Sequence, residues 1–541
     1  MRTLPDDAFY YFQTARHIAA GDGSTFDGLH PTNGYHPLWM LLLVPLATAA
    51  QDPVALTRLA LALSILCAVL SATLLYLLLR RLTGIWWVPP LGAGLYFLNA
   101  QAIVSNLNGL ETSLSTLLFV TSVYLVAHST GKRQTRRQAV LLGLILGLLF
   151  LARTDNVFYI ATLLLVVLVR EWKSEKAPSI RTLAGVAAKP GIAITVAAAI
   201  IAPWLAWNLV NLGSIIQTSG FAVPYLLQES YRLEGHTGSE FFQHSLGQFL
   251  SFLRLGFFNF LAMPALLFVP AAVLSAIVLG YTWRNRDRSY EQRDWRSSLA
   301  SSGPLRAASG LVLALWVGGI VLVFVHTFVR WNPRDWYFDQ MIALSALTFC
   351  LALVALNPGE TITQLLQLVL RRWAPRISED IPALATLRRI VSVAGTIALA
   401  SLLLVPLALG SMRLWNGIYP HQVEFLDAAQ WLKANTQPGE ISAGFNSGIT
   451  GFFSDRAVVN LDGVMDNAAY PAITKKDLAA FMKQSQVRYY VDFDPQMFDL
   501  YSEFLGPEIA RVKLVPLAAF ERPDIQWYHS AVRVYRLDWH D

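Results

Sequence analysis

Residues 5–23 read PDDAFYYFQTARHIAAGDG, and the two adjacent carboxylates, Asp6 and Asp7, stand directly before a long apolar sequence. Apolar side chains recur here at helical spacing: Phe9, Phe12, Ala15 and Ile18. With Gly21 as a stop signal, the pattern predicts an amphipathic helix with the acidic pair at its N-terminal cap. Two interpretations of the pair stay open. It is a helix cap, or one Asp is a general base while the other orients the acceptor or holds an ion.

The composition is that of an integral membrane protein. The 541 residues are 54% hydrophobic and 14% charged, whereas about a quarter of the residues in a soluble globular protein are charged. The net charge of +6 comes from short basic clusters between apolar runs, a pattern that marks membrane topology and argues against a nucleic-acid partner. Cys67 and Cys350 both fall inside apolar runs, so we expect neither a disulfide framework nor a cysteine metal site.

The chain is predicted to be a polytopic α-helical membrane protein with about ten transmembrane helices. Runs of spanning length lie near 57–80, 86–105, 110–128, 138–154, 155–171, 190–211, 258–282, 309–329, 338–356 and 389–411. The polar RTDN divides the stretch 138–171 into a hairpin. The apolar run at 37–50 is too short to span and is expected to lie in the membrane interface.

Lysine and arginine predict the orientation. Alternate loops hold 22 of these residues and the opposite loops hold seven. Because cytoplasmic loops carry the excess of positive charge, the first set is predicted to be cytoplasmic. The N-terminal residues contain no apolar signal-peptide region, and they are then expected outside together with the C-terminus.

Two domains are predicted. Residues 1–411 form the transmembrane catalytic domain, in which 1–56 is an extracytoplasmic loop with membrane-surface helices. Residues 412–541 form a soluble extracytoplasmic α/β domain, with helices at VEFLDAAQWLKAN and KKDLAAFMKQ and strands near 440–444, at AVVNLDG and at VRYYVDF.

Ionisable side chains near the predicted spans collect on the outer face, where they are costly unless paired or functional. They are Asp6, Asp7, Glu111, Arg153, Asp155, Arg330 and Arg334, with Tyr337 beside them. Glu111 either occupies a first helical turn, favourably for the helix dipole, or contacts a substrate hydroxyl or a metal. Arg153 and Asp155 either neutralise each other or bind substrate. The segment 330–337 either anchors the chain at the interface or binds phosphate through arginine forks.

No P-loop, GxGxxG, HExxH or GxSxG motif occurs in a supporting context, so nucleotide chemistry has no support. No residue is assigned as a metal ligand. Asp6, Asp7 and Glu111 would nevertheless make an oxygen-rich site compatible with a divalent cation, Mg²⁺, Mn²⁺ or Ca²⁺.

Five segments between residues 6 and 220 carry a resemblance to a known family: DDAFYYFQTARHIAAGDGSTFDG, NGYHPLWM, NGLETS, ARTDN and PWLAWNLVNLGSIIQTSG, in this order. Together they resemble the bacterial GT-C-fold glycosyltransferases, which include mycobacterial arabinofuranosyltransferases, protein O-mannosyltransferases and the lipid A aminoarabinose transferase. In that class a first transmembrane helix precedes the acidic-pair loop, whereas this chain begins at the loop. The resemblance thus implies either an upstream span or a protein that lacks it.

The resemblance implies transfer of one sugar from a polyprenyl phosphate to an extracytoplasmic glycan, lipid or protein acceptor at a bacterial plasma membrane. Asp6 or Asp7 would take the acceptor proton, and Arg330, Arg334 or Arg153 would stabilise the departing phosphate. With one base and no separate nucleophile, inversion is expected, and no cofactor is required. The alternatives are a transporter or flippase of lipid-linked sugars, which usually shows repeated halves, and a non-catalytic scaffold that binds glycan.

Overall fold

The computed structural model describes residues 2–128, 134–173, 183–258, 303–356, 401, 403–522 and 531–540. Among these residues, those before 420 form helices joined by loops, with an isolated β-bridge between Thr25 and Pro31. Its helices are α1 (Asp6–Ala20), α2 (Pro37–Ala49), α3 (Pro53–Thr83), α4 (Val88–Phe97), α5 (Ala100–Asn106), α6 (Thr112–His128), α7 (Arg136–Ala152), α8 (Val157–Lys173), α9 (Leu183–Leu212), α10 (Ala222–Leu233), α11 (Gly238–Phe258), α12 (Gly303–Phe324) and α13 (Asp339–Leu356). A further helix covers 403–416.

Four helices are long and apolar enough to cross a membrane: Pro53–Thr83, Ala184–Leu212, Ala308–Val329 and Asp335–Val354. This count covers only the described residues, and ten spans are not confirmed. The predicted span 258–282 and most of 389–411 lie outside those residues. The predicted hairpin at 138–171 is confirmed, because a 3₁₀ turn at Thr154–Asn156 separates α7 from α8. The predicted span 86–105 is instead two helices, α4 and α5. The first ends at Phe97, and the Asn99 side chain caps the second by accepting from the backbone N–H groups of Gln101 and Ala102.

The C-terminal domain contains a five-stranded mixed sheet in the order β2-β1-β3-β5-β4. The strands are β1 (Ile441–Gly444), β2 (Val458–Asn460), β3 (Val487–Phe493), β4 (Val512–Phe520) and β5 (Val532–Trp539), with helices α14 (Gln422–Asn435), α15 (Gly448–Phe453), α16 (Ala469–Lys475) and α17 (Leu478–Gln484). β1 pairs in parallel with β2 and β3, whereas β5 is antiparallel to β3 and β4. The first three strands agree with the sequence prediction.

The helix α1 joins the two parts of the chain. One side of it packs on α2 and the other on α15 of the C-terminal domain. Phe9 lies against Phe452 and Phe453 with ring centroids 5.7 and 5.6 Å away. The hydroxyl of Tyr10 donates to the carbonyl of Phe445 at 3.1 Å. The acidic pair at the start of α1 therefore lies at the junction of the helical part and the sheet domain.

Candidate functional site

Asp6 does not cap its own helix, so the predicted N-terminal cap is wrong. Pro5 is the cap residue of α1 and makes no side-chain capping bond. The Asp6 carboxylate accepts instead from the backbone N–H groups of Gly448 at 2.9 Å and Ile449 at 2.7 Å, at the start of α15. Burial raises the pKa of Asp6 to about 7, against the effect of these two bonds.

The approach of Asp6 to α15 requires glycine at 448. A Cβ added there would lie 2.3 Å from the Asp6 carbonyl oxygen and 2.9 Å from its carboxyl carbon. Both contacts are shorter than any that a real side chain tolerates. Both carboxylate oxygens of Asp6 are therefore occupied by hydrogen bonds from backbone N–H groups of the sheet domain.

Asp7 has a different environment. Its carboxylate accepts no hydrogen bond from another of the described residues, and it forms no ion pair within 4.0 Å among them. Burial raises the pKa of Asp7, while the nearby Arg334 guanidinium opposes this and Glu111 adds to it. Burial, together with the negative charge of Asp7, raises the pKa of Asp462, in the turn after β2, to about 7.

Glu111, Arg153 and Asp155 form one buried network. Arg153 donates to Glu111 at 2.7 Å and makes a bidentate pair with Asp155 at 3.1 and 2.6 Å. All three are at most 9% exposed. His326 contacts Asp155 through Nε2 at 3.0 Å. The ring of Tyr337 lies 4.4 Å from the Arg153 guanidinium carbon.

This network uses most of the binding capacity of Arg153. Against burial, the carboxylates of Asp155 and Glu111 raise the pKa of Arg153, so it stays charged. The interpretation in which Arg153 and Asp155 neutralise each other agrees with this geometry. The Arg153 guanidinium packs on the ring of Tyr337. The network thus connects the residues just before α6 and α8 to His326, in the turn that continues α12.

Arg330 and Arg334 follow the π-helical turn Val325–Val329 that continues α12, and their surroundings differ from those of Arg153. Neither forms an ion pair within 4.0 Å with a described residue. Arg330 donates to the Ser219 carbonyl at 3.5 Å, and its buried Nε has no hydrogen-bond partner in the described part of the chain. Arg334 is exposed. Between them Trp331 has φ +56°, a conformation costly for a tryptophan, and its indole N–H donates to Ser245 at 2.7 Å.

Sequence reasoning missed two groups that the fold brings to this place. His36 lies with Nε2 3.7 Å from a Glu111 oxygen, and burial lowers its pKa, which favours the neutral imidazole. Asp462 lies in AVVNLDG, which we interpreted only as a strand and turn. His36 stands in the NGYH segment that carries the family resemblance, and that segment was its only signal.

The predicted cation site is not assembled. Asp6, Asp7 and Glu111 do not form a set of ligand atoms within 4.8 Å of one another. Over the described residues, the group that does so is Asp27, His30 and Asp466.

Comparisons with known proteins agree with this architecture. A family model described as a domain of unknown function, DUF8728, matches residues 415–535. No curated protein sequence matches the chain. The fold is similar to the apo oligosaccharyltransferase of Archaeoglobus fulgidus, with 14% identity and a TM-score of 0.54 over 97% of this chain and 71% of that one.

It is also similar to ArnT from Cupriavidus metallidurans. The apo structure has 13% identity and a TM-score of 0.54, and the structure bound to undecaprenyl phosphate has 14% and 0.53; both matches cover 98% of this chain and 93% of ArnT. The fold is thus that of the GT-C membrane glycosyltransferases, as the sequence resemblance predicted. The chain is an integral membrane protein of mainly helical structure with a C-terminal sheet domain.

Proposed function

We propose that this protein is a glycosyltransferase that moves one sugar from a polyprenyl phosphate to an acceptor hydroxyl, with inversion. The observation that carries the proposal is a carboxylate and a guanidinium group, neither of them in an ion pair with a described residue, at the junction of the two domains. The Asp7 carboxylate accepts no hydrogen bond from another described residue, and the positive charge of Arg334 lowers its pKa although the two form no ion pair within 4.0 Å. Such an arrangement leaves room for a hydroxyl at the first group and a phosphate at the second.

Asp7 is the general base. It takes the proton of the acceptor hydroxyl as that oxygen forms its bond to the anomeric carbon. Asp6 cannot share this role while both its oxygens hold the N–H groups of Gly448 and Ile449. Asp6 is a positioning residue, which fixes the start of α1 against the sheet domain.

Arg330 and Arg334 receive the polyprenyl phosphate that leaves as the bond from its oxygen to the anomeric carbon breaks. Guanidinium groups match phosphate oxygens in geometry and charge, and cations aimed at a developing negative charge lower the barrier. Glu111, Asp155 and Tyr337 act through Arg153, which they hold in place, while Glu111 also lies beside His36.

The domain division follows from this assignment. Residues 1–411 bind the lipid-linked donor, and 412–541 close the site from outside the membrane by contacts with α1. In this proposal the helices of 1–411 span a bacterial plasma membrane, and the active site and residues 412–541 lie on its extracytoplasmic face. The acceptor is a glycan, a lipid or a protein. The transfer itself needs no cofactor.

Transfer from a panel of radiolabelled polyprenyl-phosphate sugars to membrane acceptors tests the proposal, with the purified protein in nanodiscs. Label should move to an acceptor. In parallel, Arg334→Gln should weaken binding of undecaprenyl phosphate about tenfold or more, whereas Arg334→Lys keeps the charge and loses less. Arg232→Gln, an exposed arginine, is the control. Movement of lipid-linked sugar across the bilayer without transfer would favour the transporter, and binding of glycan alone would favour the scaffold.

A further inference from the structure

A second cluster of ionisable groups lies away from Asp7, where the loop 21–36 meets the turn after β2. Its members are Asp27, His30 and Asp466, whose ligand atoms all lie within 4.8 Å of one another. Asp27 is 5% exposed and Asp466 is 1% exposed. The His30 side chain is 21% exposed, so solvent reaches the cluster from that side. The proposed transfer reaction uses none of the three.

Both carboxylates are held so that one oxygen of each points at the histidine. Oδ1 of Asp27 accepts from the backbone N–H groups of Leu29 and His30, both at 2.8 Å, and from the Thr25 hydroxyl at 3.1 Å. Oδ1 of Asp466 accepts from the N–H of Ala468 at 2.8 Å. The two Oδ2 atoms are left to face Nδ1 of His30, at 2.8 and 3.1 Å.

One ring nitrogen cannot satisfy both oxygens. The hydrogen-bond geometry of Nδ1 is fulfilled with Asp27. Oδ2 of Asp466 is fully buried and has no hydrogen-bond partner among the described residues. A buried unpaired carboxylate oxygen is expensive, and a second carboxylate at the same nitrogen adds repulsion. A cation between the three atoms would remove both costs.

We propose that Asp27, His30 and Asp466 bind a divalent transition-metal ion, Zn²⁺ or one of similar preference, through Oδ2, Nδ1 and Oδ2. Tetrahedral metal bonds of about 2.0–2.2 Å put neighbouring ligand atoms about 3.3–3.6 Å apart, so the separations of 2.8 and 3.1 Å need to widen by only about 0.5 Å when the ion binds. One imidazole nitrogen with two carboxylate oxygens suits such ions. The backbone bonds to each Oδ1 supply the outer contacts that orient ligating carboxylates.

The charge balance agrees with this assignment. Two carboxylates and a neutral imidazole carry −2, which one divalent ion cancels. The ion would join the first loop, which carries His36, to the turn that carries Asp462. It would thus hold the two segments that carry His36 and Asp462 without taking part in the reaction.

The test is Zn²⁺ binding by the full chain in nanodiscs after chelation, measured by calorimetry and by metal content. The wild type should bind one Zn²⁺ per chain at this site and gain thermal stability. His30→Gln and Asp466→Asn should each lose more than about tenfold in Zn²⁺ affinity. Co²⁺ bound by the wild type should show visible absorption bands that depend on His30, a readout that needs no transfer activity.

Two controls separate this site from others. His17→Gln removes an exposed histidine that pairs with a single carboxylate, Asp22, at 2.9 Å, and should bind Zn²⁺ as the wild type does. Asp7→Asn should also keep the ion, since Asp7 lies in the transfer site. Absence of Zn²⁺ uptake by the wild type would overturn the proposal and leave His30 as a protonated bridge. Undiminished binding by folded His30→Gln and Asp466→Asn, or loss with Asp7→Asn alone, would overturn it as well.

Discussion

Two neighbouring aspartates of identical chemistry have separate positions in this fold. Asp6 accepts hydrogen bonds from backbone N–H groups of α15, whereas Asp7 has no such partner among the described residues and is influenced by the charge of Arg334. The sequence identifies the pair but cannot distinguish its members, because the N–H groups that hold Asp6 lie more than 440 residues away. Only this tertiary contact favours Asp7 over Asp6 as the proposed base.

At the same scale, Asp462 should make stability depend on pH. Its pKa is raised to about 7 by burial and by Asp7, compared with about 3.9 in an unfolded chain. The folded state therefore binds the proton more tightly, and this stabilisation is full below about pH 4 and is lost as the pH rises through 7. The melting temperature of Asp462→Asn should fall less between pH 5 and pH 8 than that of the wild type. Equal falls, with the exposed Asp499→Asn as the reference, would contradict this.

Among the elements, α15 depends on a glycine for its contact with α1. Gly448→Ala should push Asp6 away and leave a buried carboxylate with weaker partners, at a cost of about 1–3 kcal/mol. Thermal unfolding of the detergent-solubilised protein measures this loss. Gly439→Ala is the matched control, since a Cβ there meets no atom within 4 Å. If both variants unfold at the same temperature, Asp6 does not hold the two elements together.

The elements also show what sequence periodicity predicts well. Long apolar runs gave the positions of α3, α7 and α8 to within a few residues, because each is bounded by polar or helix-capping residues, whereas α9 begins seven residues before the predicted span. The strands β4 and β5 were not predicted, since β4 carries Pro516 and alternates weakly between buried and exposed positions. The prediction that Asp6 caps α1 was wrong because its carboxylate accepts hydrogen bonds from α15 instead.

For the whole molecule, the Arg153 network should contribute strongly to stability. Arg153→Met would leave Glu111 and Asp155 buried together without their cation, and breaking such a pair costs about 3–5 kcal/mol. We expect a large fall in melting temperature, with activity lost in parallel. Arg232→Met removes an exposed pair with Glu229 and should cost at most about 1 kcal/mol. A fall no larger than that of Arg232→Met would contradict the structural role.

The same scale limits what the sequence could reveal about the site. Glu111, Arg153 and Asp155 stand in short motifs, so they could be nominated, and the fold does bring them together. Asp462, however, could not be nominated from the sequence, because only the folded structure brings the turn after β2 close enough to α1 for Asp7 to affect its pKa. A site built at the junction of two domains has part of its chemistry in contacts that no local pattern encodes.

The most direct test of the central claim compares transfer by Asp7→Asn, Asp6→Asn and the exposed control Asp22→Asn in nanodiscs. Asp7→Asn should lower kcat by about 10²–10⁴-fold while undecaprenyl phosphate binds as tightly as to the wild type. Asp6→Asn should lose stability first, and Asp22→Asn should match the wild type. Full transfer by a folded Asp7→Asn variant would contradict the assignment of Asp7 as the base.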